Sequence, residues 1–198
     1  MKLEAAHRLV ASSWTGRFEI ELPVSIEGEI KLILTSLSRD YPSISHINVN
    51  EGDAEIMGDW QLASKSATAL YLNPAVWKDK SKLDKYTKEW HEAMVDPTIQ
   101  GTIVHEVGHI LDGQVLRKLG SKKYNALIVK EIRDVSSIWN DEAPSAYGQE
   151  NVAEFLAEAF AAHYLGKHAL ERPNDLTVRS LKVCNAIWDQ FDKLLGRV

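Results

Sequence analysis

Val104-His105-Glu106-Val107-Gly108-His109-Ile110 is the stretch on which the reading of this chain turns. It places H-E-x-x-H on an otherwise apolar segment. Four-residue spacing puts His105 and His109 on one face of a helix, one turn apart, where both imidazoles can reach a single metal ion. Glu106 lies between them, within reach of a water beside that ion. A catalytic zinc site takes three protein ligands and keeps one position open. The extended pattern with a third histidine fails, because position 112 is Asp112 and position 115 is Val115. The third ligand is therefore sought on a second helix.

The second helix is legible at Val152, Phe155, Leu156, Ala159, Phe160 and Tyr164, which share an apolar face and end at Gly166. Two acids, Glu154 and Glu158, stand four apart in this alanine-rich and aromatic segment. Alanines at 153, 157, 161 and 162 imply burial on more than one side, which suits a working pair better than two solvated acids. Glu154 is expected to be the third ligand. Glu158, one turn on, is expected to accept the remaining ring N–H of His105 or His109 and fix its tautomer. Asp112 follows His109 by three residues and so lies on the metal-facing side. It is a candidate to hold a histidine or bridge to a neighbouring loop. Tyr147, in the turn Ser145-Ala146-Tyr147-Gly148, is the candidate donor to an oxyanion.

Taken together, H-E-x-x-H-x-x-D (His105 to Asp112) and Y-G-x-x-N-x-x-E-F-x-A-E-A-F (Tyr147 to Phe160) resemble the zinc peptidase domain of anthrax lethal factor. They are also similar to the clostridial Pro-Pro endopeptidases. The resemblance covers about residues 97–165. It implies a glutamate ligand at Glu154, seven residues after an oxyanion-assisting tyrosine at Tyr147. It implies nothing about peptide preference.

The expected activity is zinc-dependent hydrolysis of peptide bonds, with one Zn2+ per chain, Glu106 as general base and Tyr147 as oxyanion donor. The expected partner is a peptide or protein substrate. Two other readings compete: a regulatory peptidase that cleaves repressors, and a zincin-like scaffold that only binds. Glu106 argues against the scaffold, since neither folding nor metal retention needs it.

Ahead of the metal helix the pattern is mixed. Leu3, Ala6, Leu9 and Val10 suggest a short helix. Residues 18–24 alternate like a strand, and Ile30, Ile33, Leu34 and Leu37 mark a helix over 27–39. Further strands are expected at 44–49, 54–60 and 67–72, the last as an exposed sheet edge along which a substrate could lie. Residues 75–95 hold Trp77, Tyr86, Trp90 and a charge run, read as a solvated face or a cover over the site. Asp96-Pro97 reads as the start of the metal helix, running to Leu119. Helices are also expected over 122–140 and 175–195. The expected fold is α+β and zincin-like: a small mixed sheet, its edge strand packed on the metal helix, and a mostly helical C-terminal half. It is read as a single domain, with an α/β part over 1–96 and a helical part over 97–198.

Bulk properties narrow the partners. The 198 residues carry a net charge of −5, so clustered cations able to neutralise phosphates are lacking and nucleic acid is disfavoured. One cysteine, Cys184, excludes an intrachain disulfide and a cysteine-rich zinc site. No apolar run reaches 18 residues, so no membrane span is expected. The first residues lack the apolar core of a signal peptide, which points to the cytoplasm. A trimmed secreted form and a virion-borne one are the alternatives.

Overall fold

The computed structural model describes residues 14–53, 57, 63–90, 93–132, 143–166 and 174–197. The fold is α+β. The chain separates into two compact units: one draws on the chain up to Leu83 and on its last residues, and the other is Asp84–Leu195.

The first unit is built on a four-stranded sheet in the order β1-β2-β4-β3. These are β1 (Phe18–Glu19), β2 (Asn48–Glu51), β3 (Ala63–Lys65) and β4 (Ala69–Leu72). β1 and β4 both run parallel to β2, with Val49 opposite Phe18 and Leu70, and β3 runs antiparallel to β4. A parallel pair needs a crossover. Helix α1 (Val24–Asp40) supplies it between β1 and β2, burying Ile26, Ile30, Ile33, Leu34 and Leu37. A 3-10 turn at Pro42–Ile44 and the short α2 (Pro74–Trp77), capped by the Asn73 side chain on the Ala75 N–H, complete the unit.

Several boundaries move from their expected places, and proline accounts for two of them. Pro23 ends the alternation at 18–24, and its fixed φ is already suited to a helix start, so Val24 begins α1. Pro42 nucleates the 3-10 turn that takes Ile44, so the strand expected at 44–49 begins only at Asn48. The strand expected as a sheet edge is an interior one. β4 lies between β2 and β3, with Ala69, Leu70 and Leu72 buried, and the edges are β1 and β3. A strand apolar on both faces is stable only when flanked. It also belongs to the first unit, whereas the H-E-x-x-H helix belongs to the second. The helix expected at the N-terminus, the strand at 54–60 and the last part of the helix over 122–140 lie outside the described residues, apart from Met57.

The second unit is helical. From Asp84 onward α3 (Lys80–Glu89) belongs to it, followed by α4 (Ile99–Leu119), α5 (Ser121–Ile132), α6 (Val152–Leu165) and α7 (Asn174–Leu195). α4 starts at Thr98, whose hydroxyl accepts from Gly101 N at 3.3 Å. Asp96, the expected cap, instead accepts from Thr98 N at 3.1 Å and shapes the turn before it. Every residue from Gly101 to Leu111 is buried, so this is a core helix rather than an amphipathic one.

α4 packs most closely against α6, and Gly108 permits the approach. A Cβ there would lie 2.9 Å from Phe160 Cβ and 3.2 Å from Ala157 Cα. α7 closes the far side of α6 with Trp188, which donates to the Leu156 carbonyl at 3.0 Å and packs on Phe160 and Phe191.

Candidate metal centre

α4 and α6 bring His105, His109 and Glu154 together. Their ligand atoms all lie within 4.8 Å of one another. Glu154 Oε2 sits 3.1 Å from His105 Nε2 and 3.3 Å from His109 Nε2. The two imidazoles are nearly perpendicular, with centroids 4.8 Å apart. Asn151 sets the position of Glu154, because its side chain caps α6 by accepting from Ala153 N and Glu154 N at 2.9 and 3.0 Å. The glutamate therefore stands in the first turn of a capped helix, a rigid place for a ligand.

Behind His105 lies Glu158, only 1% exposed. A carboxylate so buried must be fully hydrogen-bonded. Its Oε1 is 2.7 Å from His105 Nδ1. Its Oε2 accepts from Val95 N at 2.7 Å and from Ser145 Oγ at 2.6 Å. Ser145 Oγ in turn accepts from Gly148 N at 3.0 Å, so its proton is directed at Glu158. With Glu158 acting as the acceptor, a His105 proton resides on Nδ1, and Nε2 faces the space shared with His109 and Glu154.

That space fits a cation. Glu154 Oε2 is buried and has no hydrogen-bond partner, although two imidazole nitrogens approach it closely. Lone pairs converging at about 3 Å repel unless a positive charge stands among them, either a proton on a histidine or a metal ion. The electrostatics agree. Burial alone would lower the His105 pKa, but the adjoining Glu154 and Glu158 carboxylates override it and push it up to about 10, so that without a metal ion a proton supplies this charge. Burial would raise the Glu154 pKa, yet the two imidazoles hold it far below the usual carboxylate range. Two nitrogens and one carboxylate form the donor set of a three-ligand zinc site.

Glu106 is buried beside His105. Tyr147 lies in a 3-10 turn (Tyr147–Gln149) just ahead of α6. Its ring is tilted 36° to that of His105, with centroids 5.6 Å apart. Burial, followed by the nearby carboxylates of Glu154, Glu150 and Glu106, pushes the Tyr147 pKa well above its ordinary value. The phenol thus remains an O–H donor at any working pH. Asp112 bonds to α5. Its carboxylate accepts from the Tyr124 hydroxyl of α5 and ties α5 to α4.

The sequence named Tyr86, Trp90 and Ser145 but gave no individual role to them or to the Val95 N–H. Tyr86 and Trp90 had a usable signal, because aromatics four apart mark one face of a charged helix. Ser145 and Val95 had none, since contacts spanning 13 and 63 residues leave no local trace.

Residues 77–174 match the family described as anthrax toxin lethal factor, N- and C-terminal domain. The match takes in α4, α6 and the segment around Tyr147, and points to a lethal-factor-like family for that part of the chain. No curated protein matches the chain, and no solved structure matches it.

Proposed function

We propose that the second unit is a zincin-like, zinc-dependent endopeptidase acting on a peptide or protein. The observation that carries this is the Glu154 carboxylate between the Nε2 atoms of His105 and His109, with Glu158 fixing His105 from behind. His105, His109 and Glu154 would hold the ion. A zinc ion there would supply Lewis acidity, bringing the pKa of a water beside it to about 7.

The remaining chemistry belongs to the side chains. Glu106 takes the proton from the attacking water and hands it to the leaving amine. Tyr147 keeps its proton and donates a hydrogen bond to the oxygen on which charge develops. Glu158 and Ser145 hold His105 in the tautomer that leaves Nε2 free for the ion.

The test separates binding from turnover. Glu106→Gln is expected to retain zinc, because Glu106 is not a ligand, and to lose cleavage of any peptide the wild-type chain cuts. Cleavage by this variant at the wild-type rate would remove Glu106 as the base. Zinc content is read by elemental analysis and cleavage by mass spectrometry of a digested peptide library.

A further inference from the structure

The chain between α3 and α4 touches Tyr147 at two points. Ala93 O accepts from Tyr147 N at 2.8 Å, which fixes the backbone of the turn. The edge of Trp90 meets the Tyr147 ring at 84°, with centroids 5.7 Å apart. Trp90 itself stacks on Tyr86, one helical turn earlier, at 5.5 Å and 20°. The three rings form a continuous row that ends on His105.

A backbone hydrogen bond leaves χ1 and χ2 of Tyr147 free, so whatever flanks the ring sets its direction. His105 flanks one side and Trp90 another. Trp90 is only half-buried, and its face is stacked on Tyr86. We infer that Tyr86 and Trp90 are positioning residues that aim the Tyr147 hydroxyl at the reacting carbonyl, an inference that rests on the donor role proposed above for Tyr147.

Tyr86 is coupled to the same centre by charge. Burial first, then the Glu106 and Glu158 carboxylates, keep its phenol protonated. The row therefore contributes flat apolar faces and no additional anion. The charged residues of α3, among them Lys82, Asp84 and Lys85, are exposed and take no part in it.

The test uses the full chain labelled with 3-fluorotyrosine and loaded with zinc alone, read by fluorine NMR. Comparison with Tyr147→Phe assigns the Tyr147 resonance. Tyr86→Leu, which removes the face on which Trp90 stacks, is expected to broaden that resonance and move it toward the value of free fluorotyrosine. Tyr86→Phe keeps the stack and is expected to leave the resonance in place. Where Tyr86→Leu unfolds by circular dichroism, Tyr86→Met stands in, retaining bulk but not the flat face. A Tyr147 resonance unmoved in a folded Leu or Met variant overturns the inference.

On a peptide cleaved from a pooled library, Tyr86→Leu is expected to lower kcat on the order of ten- to a hundredfold with little change in KM. It is expected to add nothing in a Tyr147→Phe background. An equal loss in both backgrounds also overturns the inference. A wild-type chain that cleaves no peptide refutes the peptidase reading instead, and the fluorine signal still decides whether Tyr86 holds Tyr147.

Discussion

Glu158 is the residue whose surroundings say most about the site. It is among the most buried charged groups described, and its partners come from three different segments: His105, Val95 and Ser145. An acid retained there for stability alone would be a poor choice, since burying a carboxylate costs several kcal/mol even when it is well paired. Orienting a ligand histidine is a role that justifies the cost. Glu158→Gln preserves shape, but with its one carbonyl oxygen kept on Val95 N its NH2 group faces His105 and cannot accept from it. Zinc affinity is expected to fall roughly 10- to 100-fold, as for other partners of ligand histidines. Competition with a chromophoric chelator measures this, and an unchanged affinity would reduce Glu158 to a packing group. At this scale the sequence was informative wherever chemistry follows helical spacing. His105 and His109 stand four apart on one helix, and Glu154 and Glu158 four apart on another. It was silent on Ser145 and Val95, whose roles depend on how distant segments meet. It also gave no sign that Asp112 accepts from Tyr124.

The helices were more legible than the strands, for a physical reason. α4 and α6 are long, and their composition repeats over several turns. The strands have two to four residues each, too few for alternation to outweigh a proline or a neighbouring turn. Two helix contacts give predictions. Gly108 lies where α4 meets α6, and Gly108→Ala puts a methyl group 2.9 Å from Phe160 Cβ. Overpacking of this kind costs about 1–3 kcal/mol, against a gain of about 1 kcal/mol in helix propensity. A net loss of stability is expected in urea unfolding, and a net gain would show that the two helices can separate at no cost. The second contact joins α5 to α4 through Tyr124 and Asp112. Burial, then the Asp112 charge and the hydrogen bond to it, raise the Tyr124 pKa above its ordinary value of 10.0. A raised pKa favours the protonated form in the folded chain. This contribution is therefore fully present below pH 10 and is lost as pH climbs above it. Thermal melts between pH 8 and 11 are expected to fall steeply above pH 10 in the wild type and less steeply in Tyr124→Phe. Parallel curves would remove the pair from the account.

Across the whole molecule the two units divide the labour. The sheet and α1 occupy the first, while the candidate metal centre, with Tyr147 and Glu106 near it, is built within the second. The family match over residues 77–174 follows that division, covering the site and leaving most of the sheet unit outside. Among the described residues no helix is long and apolar enough to cross a membrane. The sequence indicated an α+β chain with a helical, metal-bearing C-terminal half. It misplaced the sheet edge because the pairing of β3 with β4 joins strands whose register no local pattern encodes. What remains to be tested is that one zinc ion held by His105, His109 and Glu154 drives peptide cleavage. The most direct measurement is library cleavage by chelator-stripped chain as zinc is added back. The account predicts no cleavage at the start, then activity rising until about one zinc per chain is present and levelling there. Cleavage by the stripped chain, or none at any zinc level, would contradict it.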